Sequence, residues 1–229
     1  MKRICICGGG SLGHVIAGYL SAKKDVEVNI LTQRPQLWKQ ELHISTPEDD
    51  TLHGRLHVIS DNPEEVLHGA DIVLLCLPGY AIKSELIKIK PYVNEHTYVG
   101  SVFSSTGFFF EAMELFEGDV PLWGFQRVPF IARTNVYGES AHLLGYKNSH
   151  NIAIERCEDK EGFRAIIEEL FDAPVRLLNN YYEASFTNSN PILHPSRLYT
   201  LFKDWNTEVY YDHQFLFYED RTDEASKLL

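Results

Sequence analysis

Two groups of residues in this sequence have types and spacings suited to chemistry. The first is Gly8-Gly9-Gly10-Ser11-Leu12-Gly13, which fits G-x-G-x-x-G and lies between a short apolar run over 3–7 and a segment carrying Val15, Ile16, Tyr19 and Leu20 at helical spacing. In that setting Gly8 permits a tight turn, Gly10 lets a pyrophosphate approach the backbone, and Gly13 allows close helix-on-strand packing. The amides of Ser11, Leu12 and Gly13 would face the phosphates, backed by the positive end of the helix dipole. A glycine-rich turn with no ligand is the competing reading, and the strand-loop-helix frame favours the dinucleotide. The second group is Asn188-Ser189-Asn190-Pro191-Ile192-Leu193-His194-Pro195. An imidazole there has a pKa near working pH and could protonate the heteroatom of a C=N or C=O bond whose carbon takes a hydride, and Asn190 could orient a substrate. A structural histidine in an aromatic helical region is the alternative.

The elements that must position these groups alternate. A strand over 26–31, with Val26, Val28 and Ile30 in alternation, completes β-α-β in about thirty residues. Val58-Ile59 is strand-like. A helix starts at Asn62-Pro63-Glu64-Glu65, and Ile72–Leu77 reads as a strand covered on both faces. A helix over 81–89, a strand over 97–103, a helix over 108–116 and a strand over 122–125 continue the series. Further strands are expected at 142–146, 151–155 and 175–178, extending the same sheet with an antiparallel edge, around a helix over 162–171. The fold class is therefore α/β, a doubly wound Rossmann-type, mainly parallel sheet followed by the start of a helical domain. The boundary divides a dinucleotide-binding domain, 1–178, from a partial helical substrate domain, 179–229.

In such a sheet the end of the second strand reads the adenosine ribose. An acidic residue there suits the free 2′-hydroxyl of NAD. Here the strand ends Leu31-Thr32-Gln33-Arg34, with no Asp or Glu. Arg34 could pair with a 2′-phosphate while Thr32 and Gln33 add neutral hydrogen bonds, so NADP is expected in preference to NAD. Leu77-Pro78-Gly79-Tyr80-Ala81 ends the strand at 72–77 and could wall the nicotinamide-side ribose, and Ser104-Ser105-Thr106-Gly107 stands in the same relation to the next strand.

Bulk properties exclude other classes. With 21 Lys and Arg against 32 Asp and Glu, the formal charge is -11, and no basic run offers a nucleic-acid surface. No apolar stretch is long enough to span a membrane or to serve as a signal-peptide core. Cys5, Cys7 and Cys76 lie in strand-like runs and Cys157 stands apart. They read as small buried residues of a reducing, cytoplasmic setting, with no metal site.

The glycine loop, Leu77-Pro78-Gly79-Tyr80-Ala81, Phe125-Gln126-Arg127-Val128-Pro129-Phe130, Tyr137-Gly138 and Asn190-Pro191-Ile192-Leu193-His194-Pro195 together resemble, in order, the opine dehydrogenase family of the octopine and nopaline type. The resemblance implies reduction, with NAD(P)H, of the imine formed by a 2-keto acid and an amino acid. It implies His194 as the acid/base, with Asn190 in the same substrate-facing turn. It also implies that most of a C-terminal helical substrate domain, including an acidic partner for the histidine, is missing. Asp204 and Asp212 are the nearby downstream candidates for that acid. A ketopantoate-reductase-like 2-keto acid reductase is the enzymatic alternative. It would need a lysine in the helical domain, and none lies between Lys160 and Lys203. A nucleotide-binding module without turnover is the alternative of a different class. Ala225, Leu228 and Leu229, with Trp205, Tyr210, Tyr211, Phe215, Phe217 and Tyr218, would leave apolar area uncovered, so residues 180–229 are expected to be partly disordered or buried in a homo-oligomer.

Overall fold

A computed structural model describes residues 1–116, 118, 120–206, 217 and 222–228. Asp212 and the aromatic residues Tyr210, Tyr211, Phe215 and Tyr218, with Leu229, lie outside the described residues. The chain divides into two compact units, Met1–Thr187 and Asn188–Leu229.

The first unit opens with the β-α-β frame, β1 (Lys2–Cys7), α1 (Ser11–Ser21) and β2 (Val26–Leu31), with Ile4 opposite Val28 and Ile6 opposite Ile30 in parallel register. Next come β3 (Glu41–Ser45), β4 (Thr51–Arg55), β5 (Ile59–Ser60), α2 (Pro63–Leu67), β6 (Ile72–Leu75), α3 (Gly79–Ile89), β7 (Tyr98–Ser101), α4 (Phe108–Leu115) and β8 (Leu122–Phe125). The unit ends with β9 (Phe130–Val136), β10 (Ser140–Tyr146), β11 (His150–Glu155), α5 (Lys160–Phe171), β12 (Val175–Leu177) and α6 (Tyr181–Phe186). The helix start at Asn62 is as its sequence dictates. The Asn62 Oδ1 accepts from the Glu64 N–H at 3.1 Å, and Pro63 sits where no intrahelical donor is needed.

The larger sheet runs β12-β11-β8-β7-β6-β1-β2-β5. It is parallel from β5 to β8; β11 is antiparallel to β8, and β12 parallel to β11. Successive side chains of the central strands enter opposite cores. Ile4, Ile6, Ile72 and Leu74 pack on one face, and Cys5, Cys7, Val73 and Leu75 on the other. Chain order reverses at β1, which has β2 on one side and β6 on the other, so the carboxyl ends of β1 and β6 flank a topological switch point.

One expectation is corrected. The strand at 142–146 does not extend the main sheet; as β10 it belongs to a second sheet of order β4-β3-β10-β9. That sheet contains the β3–β4 hairpin and β9, strands that the sequence pattern does not predict. Its strands alternate buried and exposed residues, the pattern of a layer with one face in the core and one in solvent. The buried face covers α1, which contacts β3, β4, β9 and β10 on one side and β1 and β2 on the other. Every residue of α1 from Gly13 to Leu20 is consequently buried. Gly18 and Gly54 make the approach possible, since a Cβ on Gly54 would stand 2.4 Å from the Gly18 carbonyl oxygen.

The division between units falls nine residues beyond the expected 178, because α6 packs on β11 and on the short turn at Ser104–Thr106. In the second unit α7 (Asn190–Phe202) contacts α8 (Asp223–Lys227), with an ion pair between Lys203 and Glu224. The Thr222 side chain caps α8 by accepting from the Ala225 N–H at 3.2 Å.

Candidate functional site

The carboxyl edge of the main sheet carries a crevice with two lobes that share Gly10, Leu77 and Pro78. One lobe, of about 410 Å³, is lined by Gly8, Thr32, Gln33, Arg34 and Tyr137 among others. The other, of about 650 Å³, is lined by Ser11, Leu12, Gly79, Ser105, Thr106 and Arg133 among others. The residues expected from the sequence to contact a dinucleotide thus come together along one edge. Gly13 sits beneath it.

The loop between β1 and α1 adopts its shape for identifiable reasons. Gly8 has φ +118°, a region that side chains rarely enter, and a Cβ there would lie 2.7 Å from the Cys76 carbonyl oxygen. A Cβ on Gly13 would reach 2.0 Å from the Gly8 carbonyl oxygen, so the helix can start this close to the strand only with glycine. Gly10 is different. Its φ and ψ, -83° and -176°, suit any residue, and a Cβ there would meet nothing within 4 Å. Its side-chain position opens into the crevice, where a ligand backbone would pass. The first helical bond runs from the His14 N–H to the Gly10 carbonyl at 3.0 Å, so the Ser11, Leu12 and Gly13 amides have no intrahelical acceptor.

The structure adds residues that the motif did not identify. His14 is fully buried in the first turn of α1. Its Nε2 accepts from the Gly138 N–H at 2.7 Å, which makes Nδ1 the protonated nitrogen, and Nδ1 donates to the Gly10 carbonyl at 2.9 Å. Burial holds its pKa below the usual histidine value, the Gly10 bond opposing this more weakly. The ring stacks on Trp38 at 4.1 Å and meets Tyr137 edge-on at 5.1 Å. Tyr137 carries the Arg34 guanidinium 4.5 Å above its ring, and its hydroxyl lies 3.4 Å from the Thr32 hydroxyl. Burial acts to raise the Tyr137 phenol, but the Thr32 bond and the Arg34 charge outweigh it and hold the pKa below the ordinary phenolic value. The lobe that holds Arg34 is therefore built jointly by the end of β2 and the turn between β9 and β10. A single histidine ties that turn to the glycine loop. Glu85 and Lys88 of α3 also line this lobe. Burial raises the Glu85 carboxyl pKa, against the Lys88 charge.

His194 and Asn190 belong to the second unit. The turn expected there is instead helix: Asn190 is the first residue of α7 and His194 follows one turn on, so both occupy the same helical face. Pro191 stands at the helix start, where a missing N–H costs nothing, and Pro195 lies inside the helix. The Asn190 N–H donates to the Asn188 Oδ1 at 3.1 Å, and the His194 ring meets Phe217 edge-on at 5.2 Å. Asp204 is exposed, its carboxylate 4.0 Å from Lys203.

Fold and crevice together define a doubly wound Rossmann-type unit with a crevice along the carboxyl edge of its sheet. The family profile of ketopantoate reductase, PanE/ApbA, matches residues 4–103. Over nearly its whole length the chain resembles opine dehydrogenases. It is 24% identical over 247 residues to the opine dehydrogenase of Haliotis discus hannai, covering 99% of this chain and 61% of that protein. It is 26% identical over 222 residues to the octopine dehydrogenase of Mizuhopecten yessoensis, covering 89% and 55%. An octopine dehydrogenase structure with NADH and L-arginine superposes with a TM-score of 0.79 at 22% identity, covering 92% of this chain and 56% of that one. The chain thus spans little more than half the length of the relatives it matches.

Proposed function

We propose that this chain carries the cofactor-binding part of an NAD(P)-dependent oxidoreductase of the opine dehydrogenase type, which reduces the imine of a 2-keto acid and an amino acid. The observation that carries the reading is the Gly10 side-chain position, open toward the crevice at the β1/β6 switch point, in a chain similar along its length to opine dehydrogenases. Ser11, Leu12 and Gly13 hold the pyrophosphate on the helix N-terminus. Thr32, Gln33 and Arg34 take the adenosine ribose. Arg34 favours NADP, because no carboxylate at the end of β2 repels a 2′-phosphate. Leu77, Pro78 and Gly79 wall the far ribose.

When bound, a reduced nicotinamide supplies a hydride to the imine carbon. His194 delivers a proton to the imine nitrogen, so that with the hydride on carbon the C=N bond becomes a secondary amine, two electrons and two protons gained in all. Asn190, on the same face of α7, orients the substrate, and residues from Asn188 onward begin the substrate domain. The protein works in the cytoplasm as a homo-oligomer in this reading.

The test is loss of reduced-nicotinamide absorbance with keto acid and amino acid together, with each alone, and in His194→Ala. Oxidation requiring both substrates and abolished by His194→Ala is expected. Cofactor binding without oxidation by any pair would instead leave a binding module without turnover. A second reading, reduction of a 2-keto acid alone, is favoured by the ketopantoate reductase profile over residues 4–103. Turnover indifferent to the amino acid would select it.

A further inference from the structure

The second sheet does more than cover α1, because it also reaches the phosphate end of the crevice. The Thr134 N–H of β9 donates to the Ser11 Oγ at 3.0 Å, and the two hydroxyls lie 3.1 Å apart. Farther along the same hairpin, the Gly138 N–H bonds His14. The hairpin is thus fastened to the first turn of α1 at two points, and this fixes the backbone of the intervening strand against the glycine loop.

Arg133 precedes Thr134 and lines the lobe that holds Gly10, Ser11 and Leu12. Among the described residues of that lobe it carries the only charged side chain; the Cys76 thiol is pushed up by burial and stays neutral. Of the fork of guanidinium N–H donors, the described contacts use a single one, from Nη1 to the Ala132 carbonyl at 2.8 Å. Among the described residues no carboxylate lies within ion-pair distance of it. An arginine with its fork available, beside helix amides that lack acceptors, suits a phosphate oxygen pair.

We propose that Arg133 is a cationic clamp on the nicotinamide-side phosphate of the dinucleotide, contributed by the second sheet. The assignment rests on the dinucleotide reading above. It separates two arginines by role. Arg34 stands in the lobe with the end of β2 and reads the 2′ position. Arg133 stands in the other lobe and reads a group common to both cofactors.

The experiment is a titration of NADPH, NADH, ADP and AMP into the parent chain, Arg133→Ala and Arg133→Lys, followed by intrinsic fluorescence. Arg133→Ala should weaken NADH and NADPH by the same factor, roughly 10- to 100-fold for a lost charge-assisted pair. ADP should weaken likewise, and AMP, which lacks the second phosphate, should not change. Arg133→Lys should recover part of the loss, keeping the charge without the fork. The side chain is exposed, so an unchanged Tm will show that the fold is intact. Parent-like affinity for NADH and NADPH in Arg133→Ala would overturn the proposal, as would a loss confined to NADPH or an equal loss for AMP. A parent chain that binds neither dinucleotide would remove the reading beneath it.

Discussion

Gly10 caps α1 and Gly13 lies in its first turn, and a substitution at each should shift stability in opposite directions. Gly10→Ser introduces a side chain where φ and ψ already suit one and where nothing lies within 4 Å. It also places a favourable capping residue at the start of α1 and reduces the freedom of the unfolded chain. The expected gain is roughly 0.5–1 kcal/mol, or about 1–4 °C in Tm. Yet the same atoms project into the crevice, so NADPH affinity should fall by at least about tenfold, the size of effect expected when a close backbone contact is lost. Gly13→Ala puts a Cβ 2.0 Å from a backbone oxygen that cannot rotate away. Helix and strand must separate, at a cost of about 1–3 kcal/mol. Thermal unfolding of the free chains, with and without saturating NADPH, measures both quantities. The reasoning fails if Gly10→Ser lowers the Tm of the free protein, or if it binds NADPH as tightly as the parent.

Three further outcomes follow from the geometry. Arg34→Ala should reduce a preference for NADPH over NADH by about tenfold while leaving NADH affinity near its parent value, since the lost partner is the 2′-phosphate; paired titrations check this. Burial lowers the pKa of both His14 and His150. The unfolded chain therefore takes up protons first, and stability that is complete above about pH 6.5 should decline as pH falls through that value toward the lowered folded ones. Tm measured from about pH 7.5 to 5.5 should fall less steeply in His14→Gln than in the parent. Gly54→Ala should destabilise the protein by roughly 1–3 kcal/mol, seen as a lower denaturation midpoint, because the new Cβ meets the α1 backbone.

The main sheet was legible because its strands carry signals that tertiary context reinforces. Ile72–Leu75 is apolar throughout and buried throughout, and the glycine hexad stands between strand and helix as its spacing implies. The second sheet was less so. Glu41–Ser45 and Thr51–Arg55 each offer few apolar residues, mixed with histidines, and their alternation is weak without the helix they cover. A signal was present in α1 itself: from Gly13 to Leu20 it has no charged residue, the composition of a helix covered on all sides. The same gap hid His14, Tyr137 and Arg133 from the site, since the hairpin bonds that give them their places span more than a hundred residues. At 190–195 the resemblance implied a turn, and the chain instead forms a helix that takes one proline at its start and one inside.

The layering of α1 has a kinetic consequence. Ser45 and His142, hydrogen-bonded where β3 meets β10, are 97 positions apart, and their strands pair in parallel. Contacts of such separation form late, because the intervening loop must close before they return any stabilisation. A nascent chain released only through β7 would therefore display the β1-α1-β2 frame with α1 covered on its outer flank by the β3–β4 hairpin but not by β9 and β10, and with His14 lacking its Gly138 partner. The crevice gains its Tyr137 and Arg133 walls only after the β9–β10 hairpin docks. A nucleotide added during refolding should thus leave the early collapse unchanged and act on the slowest phase, the one that brings this hairpin home.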